Sequence, residues 1–222
     1  AKIANCRAVL QRAIRDHGSS IDVEKLRRAS QRLRDSLERV AACTDLSVVR
    51  GIEGEAASVY FACFNDLIVA QKEDFAMDGR SRRPPLDNMN AMLSFLYTLL
   101  TNDMKSALET VGLDPAVGFL HRDRPGRPSL ALDLIEELRS YLVDRLALSL
   151  VNRRQVSGKG FERRENRAIH MTADTRHTVI SAWQRRKQDV ITHPFLKEKI
   201  QIGLLPYVQA LLMARYIRGD LD

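Results

Sequence analysis

The chain has 222 residues, 45% of them hydrophobic, with 35 Lys and Arg against 28 Asp and Glu and a formal net charge of +7. That composition can bury a sizeable core as one large or two small domains, and it holds no signal peptide and no apolar run long enough to span a bilayer, so we expect a cytoplasmic protein with no membrane partner. Three scattered cysteines, Cys6, Cys43 and Cys63, form no CxxC pair and read as reduced thiols, which excludes a disulfide scaffold, while the positive excess suits a polyanionic partner such as nucleic acid.

Ile3, Val9, Leu10 and Ile14 recur at helical spacing, so residues 2–17 are expected to form a helix ended by Gly18. The chain thus starts without Met at a helical segment, which predicts a fragment of a larger protein. A second helix is expected from about Asp22 to Cys43, with Leu26, Leu33, Leu37 and Val40 inward. Asp45 is placed to cap a long third helix reaching about Glu73. Its apolar stripe is Val49, Ile52, Ala56, Tyr60, Cys63 and Phe64, and 100° per residue puts Glu53 inside that stripe and Glu55 outside it. A carboxylate on a core-facing stripe is costly unless a cation, a metal or hydrogen bonds compensate. Gly51 and Gly54 flank it, each costing about 1 kcal/mol relative to Ala inside a helix, which points to close packing or to close approach of a ligand. Two readings of Glu53 stand: a metal ligand, or half of a buried ion pair with an arginine.

Residues 78–85 form a basic loop in which Pro84 and Pro85 forbid helix. Asp87 is expected to cap a fourth helix, Asn88 to Val111, closed by Gly112, with Met92, Phe95, Leu96 and Leu99 as its core face. Leu113, Asp114 and Pro115 turn the chain toward Gly118–His121. Between Arg122 and Pro128 stand three arginines, two prolines and a glycine, a loop by composition. Ser129 is a candidate N-cap for a helix to about Leu150. On it Asp133, Glu136 and Glu137 share a face at i, i+3 and i+4. If the loop folds back, His121 joins them as a metal-ligand set; otherwise they are a solvated acidic face and a loop histidine.

Residues 151–173 read as an exposed basic excursion, with Arg153, Arg154, Lys159, Arg163 and Arg164, and with room for one short strand or hairpin near 168–172. Asp174 is expected to cap a helix to about Asp189, His193 and Pro194 to turn the chain, and Pro206 to lie in the first turn of a last helix that reaches Asp222. His170 and His193 read as surface residues. There is no repeat and no low-complexity segment. The expected fold is all-α, a single domain over residues 1–222 of about seven helices. Asp174 and His177 lie at i, i+3, but no second copy exists to build a di-metal bundle. There is no His-Glu-x-x-His, no phosphate-binding loop and no nucleophile elbow.

Four motifs occur in order: Gly51-Ile-Glu-Gly-Glu-Ala-Ala57, the Arg82–Tyr97 run (Arg-Arg-Pro-Pro-Leu-Asp-x-x-Asn-Ala-x-Leu-Ser-Phe-Leu-Tyr), Gly112-Leu-Asp-Pro-x-x-Gly-Phe-Leu-His121, and the Gly126–Arg139 run (Gly-Arg-Pro-Ser-Leu-Ala-Leu-Asp-Leu-x-Glu-Glu-x-Arg). Together with residues 150–156 and 203–206 they make the chain resemble the catalytic helical domain of the CRISPR-associated integrase of spacer acquisition. The family carries an N-terminal β-rich domain ahead of this region, so the resemblance implies that the chain is a fragment beginning after it.

The resemblance implies that Glu53, His121 and Glu136 are metal ligands, with Asp133 a further acid of the catalytic set. Mixed carboxylate and imidazole donors suit Mn²⁺ or Mg²⁺. The implied reaction is attack of a DNA 3′-hydroxyl on a phosphodiester of the CRISPR repeat. Implied partners are double-stranded and branched DNA, a second copy of the full-length protein, and a small dimeric CRISPR-associated adaptation protein. Arg82, Arg83, Arg127, Arg153 and Arg154 are the candidate DNA-binding residues, because a planar guanidinium suits bidentate phosphate contacts. Tyr97 falls near the family's site and is equally well read as a core residue. Two alternatives stand beside this reading. One is a non-catalytic helical DNA-binding module whose acids pair with arginines; the other is a simple metal-dependent nuclease.

Overall fold

A computed structural model describes residues 1–122 and 124–221. They are mainly helical, with two two-stranded antiparallel sheets. The chain divides into two compact units, one of Ala1–Phe95 and Glu137–Thr178, the other of Leu96–Glu136 and Val179–Asp222; Asp222, the expected end of the last helix, lies outside the described residues.

The first unit opens with α1 (Lys2–His17), α2 (Val23–Ala41) and α3 (Leu46–Ala62). Asp22 caps α2 by accepting the Lys25 N–H at 2.9 Å, and Asp45 caps α3 through the Ser47 and Val48 N–H groups at 2.6 and 3.3 Å. Helix α3 does not run to Glu73. It gives way to a 3₁₀ turn (Phe64–Leu67) and, after an extended stretch, to the single turn α4 (Lys72–Phe75). Side chains distant in sequence take over the backbone partners there. Asn152 Oδ1 accepts the Val69 and Ala70 N–H groups at 3.0 and 3.4 Å while its Nδ2 donates to the Leu67 carbonyl at 2.9 Å. Asn65 makes a reciprocal pair with the backbone of Met77, both bonds 2.9 Å. A helix over these residues would forfeit those bonds.

The expected helix beyond Ser129 is one run in three parts: α6 (Ser129–Leu138), a π-helical segment (Arg139–Asp144) and α7 (Arg145–Asn152). The basic excursion holds the hairpin β1 (Phe161–Arg163) and β2 (Ile169–Met171), with Glu162 opposite His170. Phe161 packs edge-on against Phe75, ring centroids 5.5 Å apart, and fixes the hairpin to the first unit. The buried side chains of this unit include Leu10, Leu26, Leu33, Tyr60, Phe64, Ile68, Phe75 and Leu150.

Helix α5 (Asn88–Thr110) has the expected bounds, and Gly112 closes it at φ +79°. Its buried face is Met89, Met92, Leu93, Leu96, Leu100 and Met104, so Phe95 and Leu99 lie on the margin rather than in the core. Helix α8 (Ala173–Gln188) is capped by Thr172, whose Oγ1 accepts the Thr175 N–H at 3.3 Å, and not by Asp174. Ahead of α9 (Leu205–Arg218), which carries Pro206 in its first turn as expected, lies a second hairpin, β3 (Val190–Thr192) and β4 (Lys199–Gln201). Three-residue strands give no readable alternation. The hairpin also corrects His193, which is buried in its turn, with Nδ1 accepting the Leu196 N–H at 3.1 Å. No helix of the described residues is long and apolar enough to cross a membrane.

Candidate functional site

The loop between α5 and α6 folds back onto the first turn of α6, within the second unit. The Pro115 carbonyl accepts the Leu130 and Ala131 N–H groups at 2.9 and 3.3 Å and so closes the helix N-terminus. Ser129 is therefore buried inside the first turn, its Oγ donating to the Arg122 carbonyl at 3.3 Å, and is not the N-cap. Asp133, one turn further, gathers the loop. Its Oδ2 accepts the N–H groups of Phe119 and Leu120 at 2.7 and 2.9 Å, and its Oδ1 accepts the His121 N–H at 2.9 Å and stands 2.6 Å from His121 Nδ1.

These four bonds use the whole acceptor capacity of the carboxylate. Burial alone would push the Asp133 carboxyl up, but the imidazole and the three backbone donors outweigh it and hold the group below the ordinary carboxylate range. An ionised Asp133 accepts a hydrogen bond from Nδ1–H of His121, which leaves the imidazole lone pair on Nε2, the other ring nitrogen. Asp133 is thus a positioning residue for His121.

Gly118 is the residue sequence reasoning missed. A Cβ there would lie 2.6 Å from Ser129 Cβ, 2.9 Å from the Ser129 carbonyl carbon and 3.0 Å from Asp133 Oδ2. A glycine three residues before a candidate ligand histidine was the available signal. Gly118→Ala should displace the loop from α6 and cost about 1–3 kcal/mol in thermal unfolding. An unchanged unfolding midpoint would refute this account of the loop.

The fold-back brings His121 and Asp133 together, and among the described residues no group of three or more His, Cys, Asp or Glu stands assembled to hold a metal. Glu136 follows on the same helix. Glu53 lies in the first unit, on the flank of α3 rather than in its stripe: the buried positions are Ile52, Ala56, Val59 and Tyr60. Its Oε1 is in an ion pair with Lys2 Nζ, with side chains 35% and 19% exposed. The expected partner was an arginine at a buried site; the chain instead supplies a lysine and leaves the carboxylate half-exposed. Gly51 and Gly54 do not mark close packing, since a Cβ at either would meet open space. Glu55 points away, as expected, and pairs with Arg39 at 2.8 Å.

Arg82, Arg83, Arg122, Arg124, Arg153 and Arg154 are exposed, and Arg127 is half-exposed. Arg82, Arg83, Arg153 and Arg154 belong to the first unit and Arg122, Arg124 and Arg127 to the second. Other exposed arginines, such as Arg12, Arg27, Arg34 and Arg218, are spent on neighbouring carboxylates.

Residues 1–185 match the family model described as CRISPR associated protein Cas1. The chain is 56% identical over its whole length to CRISPR-associated endonuclease Cas1 1 of Chlorobaculum tepidum and 58% identical to CRISPR-associated endonuclease Cas1 2 of Rhodospirillum rubrum. It spans 64% and 65% of those two relatives. Among solved structures it superposes on a casposase bound to its integration product, with a TM-score of 0.80 and 24% identity over 100% of this chain and 60% of that one. It also superposes on a Cas1 protein from Thermotoga maritima, with a TM-score of 0.75 and 22% identity over 98% of this chain and 64% of that one, a likeness of fold. The match over 185 residues, with relatives more than half identical along the entire chain, places it in the CRISPR associated protein Cas1 family.

Proposed function

We propose that residues 1–222 are the helical catalytic domain of a metal-dependent DNA endonuclease and integrase that inserts new spacer DNA into a CRISPR array. The observation that carries the chemistry is the His121–Asp133 pair, a histidine held in one tautomer and one orientation by a saturated carboxylate. Such a carboxylate–histidine arrangement fits a metal ligand set. Glu53, His121 and Glu136 would hold Mn²⁺ or Mg²⁺, which when bound supplies Lewis-acid stabilisation of the phosphate undergoing attack. The DNA 3′-hydroxyl gives up its proton and forms the new phosphorus–oxygen bond, the repeat's own phosphodiester bond breaks, and the released 3′-oxygen takes up a proton. The protein itself forms no covalent intermediate.

The chain's contribution is to hold DNA and orient His121. Arg82, Arg83, Arg127, Arg153 and Arg154 neutralise phosphates of double-stranded or branched DNA, and the naming of two relatives as endonucleases supports a nucleic-acid substrate. A solved Cas6-RT-Cas1–Cas2 complex, with a TM-score of 0.83 and 24% identity to this chain, supports a CRISPR-associated partner for the whole protein; a second copy of the whole protein and a small dimeric form of that partner belong to the same proposal.

Strand transfer on branched DNA tests the reading. We expect joined products with Mn²⁺ or Mg²⁺ and none from His121→Ala. Cutting without joining would favour a simple nuclease, and absence of Mn²⁺ binding would favour a non-catalytic DNA-binding module. DNA affinity should also fall steeply with salt, with a log–log slope of about −4.5 if five guanidiniums each neutralise one duplex phosphate at about −0.9 apiece. A flat salt dependence would remove the arginines from the interface.

A further inference from the structure

Asn90 is fully buried on the first turn of α5, beneath the loop that carries Arg82 and Arg83. Its Nδ2 donates to the Gly79 carbonyl at 2.9 Å and to Asp87 Oδ2 at 2.6 Å, while its Oδ1 accepts from the Ser81 N–H at 3.2 Å and from Arg80 Nη1. Both donors and both acceptors of the amide are therefore committed, and each faces a group of the opposite kind. Aspartate at this position would set a carboxylate oxygen against the Gly79 carbonyl and the Asp87 carboxylate.

The loop above is closed at two more points. Ser81 Oγ accepts the Leu86 N–H at 3.0 Å, which ties its two ends together, and the Pro85 carbonyl accepts the Ile169 N–H at 2.9 Å from β2 of the basic hairpin. Arg80 donates to the Ser81 carbonyl at 2.8 Å as well as to Asn90, so its guanidinium is spent inside the loop. Of the loop's basic side chains, Arg82 and Arg83 remain at the surface, with Asp78, Pro84 and Leu86 also exposed. A loop fixed at its base, across its ends and to a neighbouring strand presents two guanidiniums with little ordering entropy left to lose on binding.

We propose that Asn90 is a positioning residue for phosphate binding: through Gly79, Ser81 and Asp87 it sets the loop that presents Arg82 and Arg83 to the DNA backbone. The inference rests on the proposed phosphate contacts of those two arginines. It accounts for an asparagine within the Arg82–Tyr97 motif that neither metal binding nor the apolar core of α5 uses.

The test is the salt dependence of binding to a labelled branched DNA duplex, with the metal chelated. The full chain is compared with Asn90→Asp, with Ser81→Ala and with the Arg82→Ala, Arg83→Ala double variant. The double variant should lower the magnitude of the log–log slope by about 1.8, two phosphates at about 0.9 each. Asn90→Asp should lower it equally while circular dichroism shows the helices retained, and should lower it no further when added to the double variant. A wild-type slope for folded Asn90→Asp overturns the inference. Should Asn90→Asp fail to fold, Ser81→Ala decides: an intermediate slope supports the positioning role and a wild-type slope refutes it. A wild-type slope for the arginine double variant instead overturns the phosphate assignment beneath it.

Discussion

Asp133→Ala is expected to abolish strand transfer and to destabilise the protein by about 3 kcal/mol. Four hydrogen bonds end on this carboxylate, three of them from consecutive backbone N–H groups. A hydrogen bond to a charged group contributes about 1.5–3 kcal/mol. The total falls short of four such bonds because Phe119 is already exposed and the loop can open to water once its anchor is gone. The loss should appear as a lower midpoint in thermal unfolding with the metal chelated, and an unchanged midpoint would refute the anchoring role.

Asp133→Asn isolates the charge from the shape. An amide in this place presents a donor to one pair of partners, either the Phe119 and Leu120 N–H groups or the His121 groups. In the second orientation it donates to Nδ1 and drives the imidazole proton onto Nε2, the nitrogen needed for the metal. We expect Mn²⁺ affinity to fall about 10- to 100-fold, the usual consequence of losing such an outer partner. Acid titration of stability gives an independent readout. Asp133 has a lower carboxyl pKa folded than unfolded, so its contribution is complete above the ordinary value of about 3.9 and is lost as pH falls through the lower folded value. Asp133→Asn should flatten that limb; a limb of unchanged steepness would remove Asp133 from the acid sensitivity.

Several features that depend on local spacing were announced by the sequence, although the caps expected at Ser129 and Asp174 are made by other groups. The cap at Asp45, the glycine stop after α5 and the proline in the first turn of α9 are consequences of nearest neighbours. Of the candidate site, the His121–Asp133 pair was legible in this way. Asp133 and His121 could be paired because a loop that cannot be helical separates them, leaving the fold-back as the means of using both. Other features escaped because their cause lies far along the chain. The break after α3 is made by Asn152, more than eighty positions away, and the partner of Glu53 is Lys2 from another helix. Helical periodicity placed Glu53 in the stripe because it weighs all positions of α3 alike, whereas Ile52 and Ala56 define the centre of burial and leave Glu53 at the flank.

That flank position sharpens what Glu53 should do. A buried carboxylate paired with arginine would strand a charge when removed, at about 3–5 kcal/mol. Glu53 is 35% exposed and its partner is a lysine, whose flexible stem lets the ammonium reach water when the pair is broken. A partly exposed pair is worth about 0–1 kcal/mol. Glu53→Gln should therefore shift the unfolding midpoint of the metal-free protein by no more than about 2–4 °C, the shift expected from 1 kcal/mol in a chain of this size. DNA affinity should stay within about twofold, because phosphate contacts set position and affinity and come from the arginines. Strand transfer should fall at least about a hundredfold, since a lost metal ligand forfeits about 3 kcal/mol or more of transition-state stabilisation. The three readouts separate the roles of the residue. Loss of strand transfer with stability and DNA binding retained makes Glu53 a metal ligand. A large loss of stability with the metal chelated makes it a structural residue, and the metal site must then be sought without it.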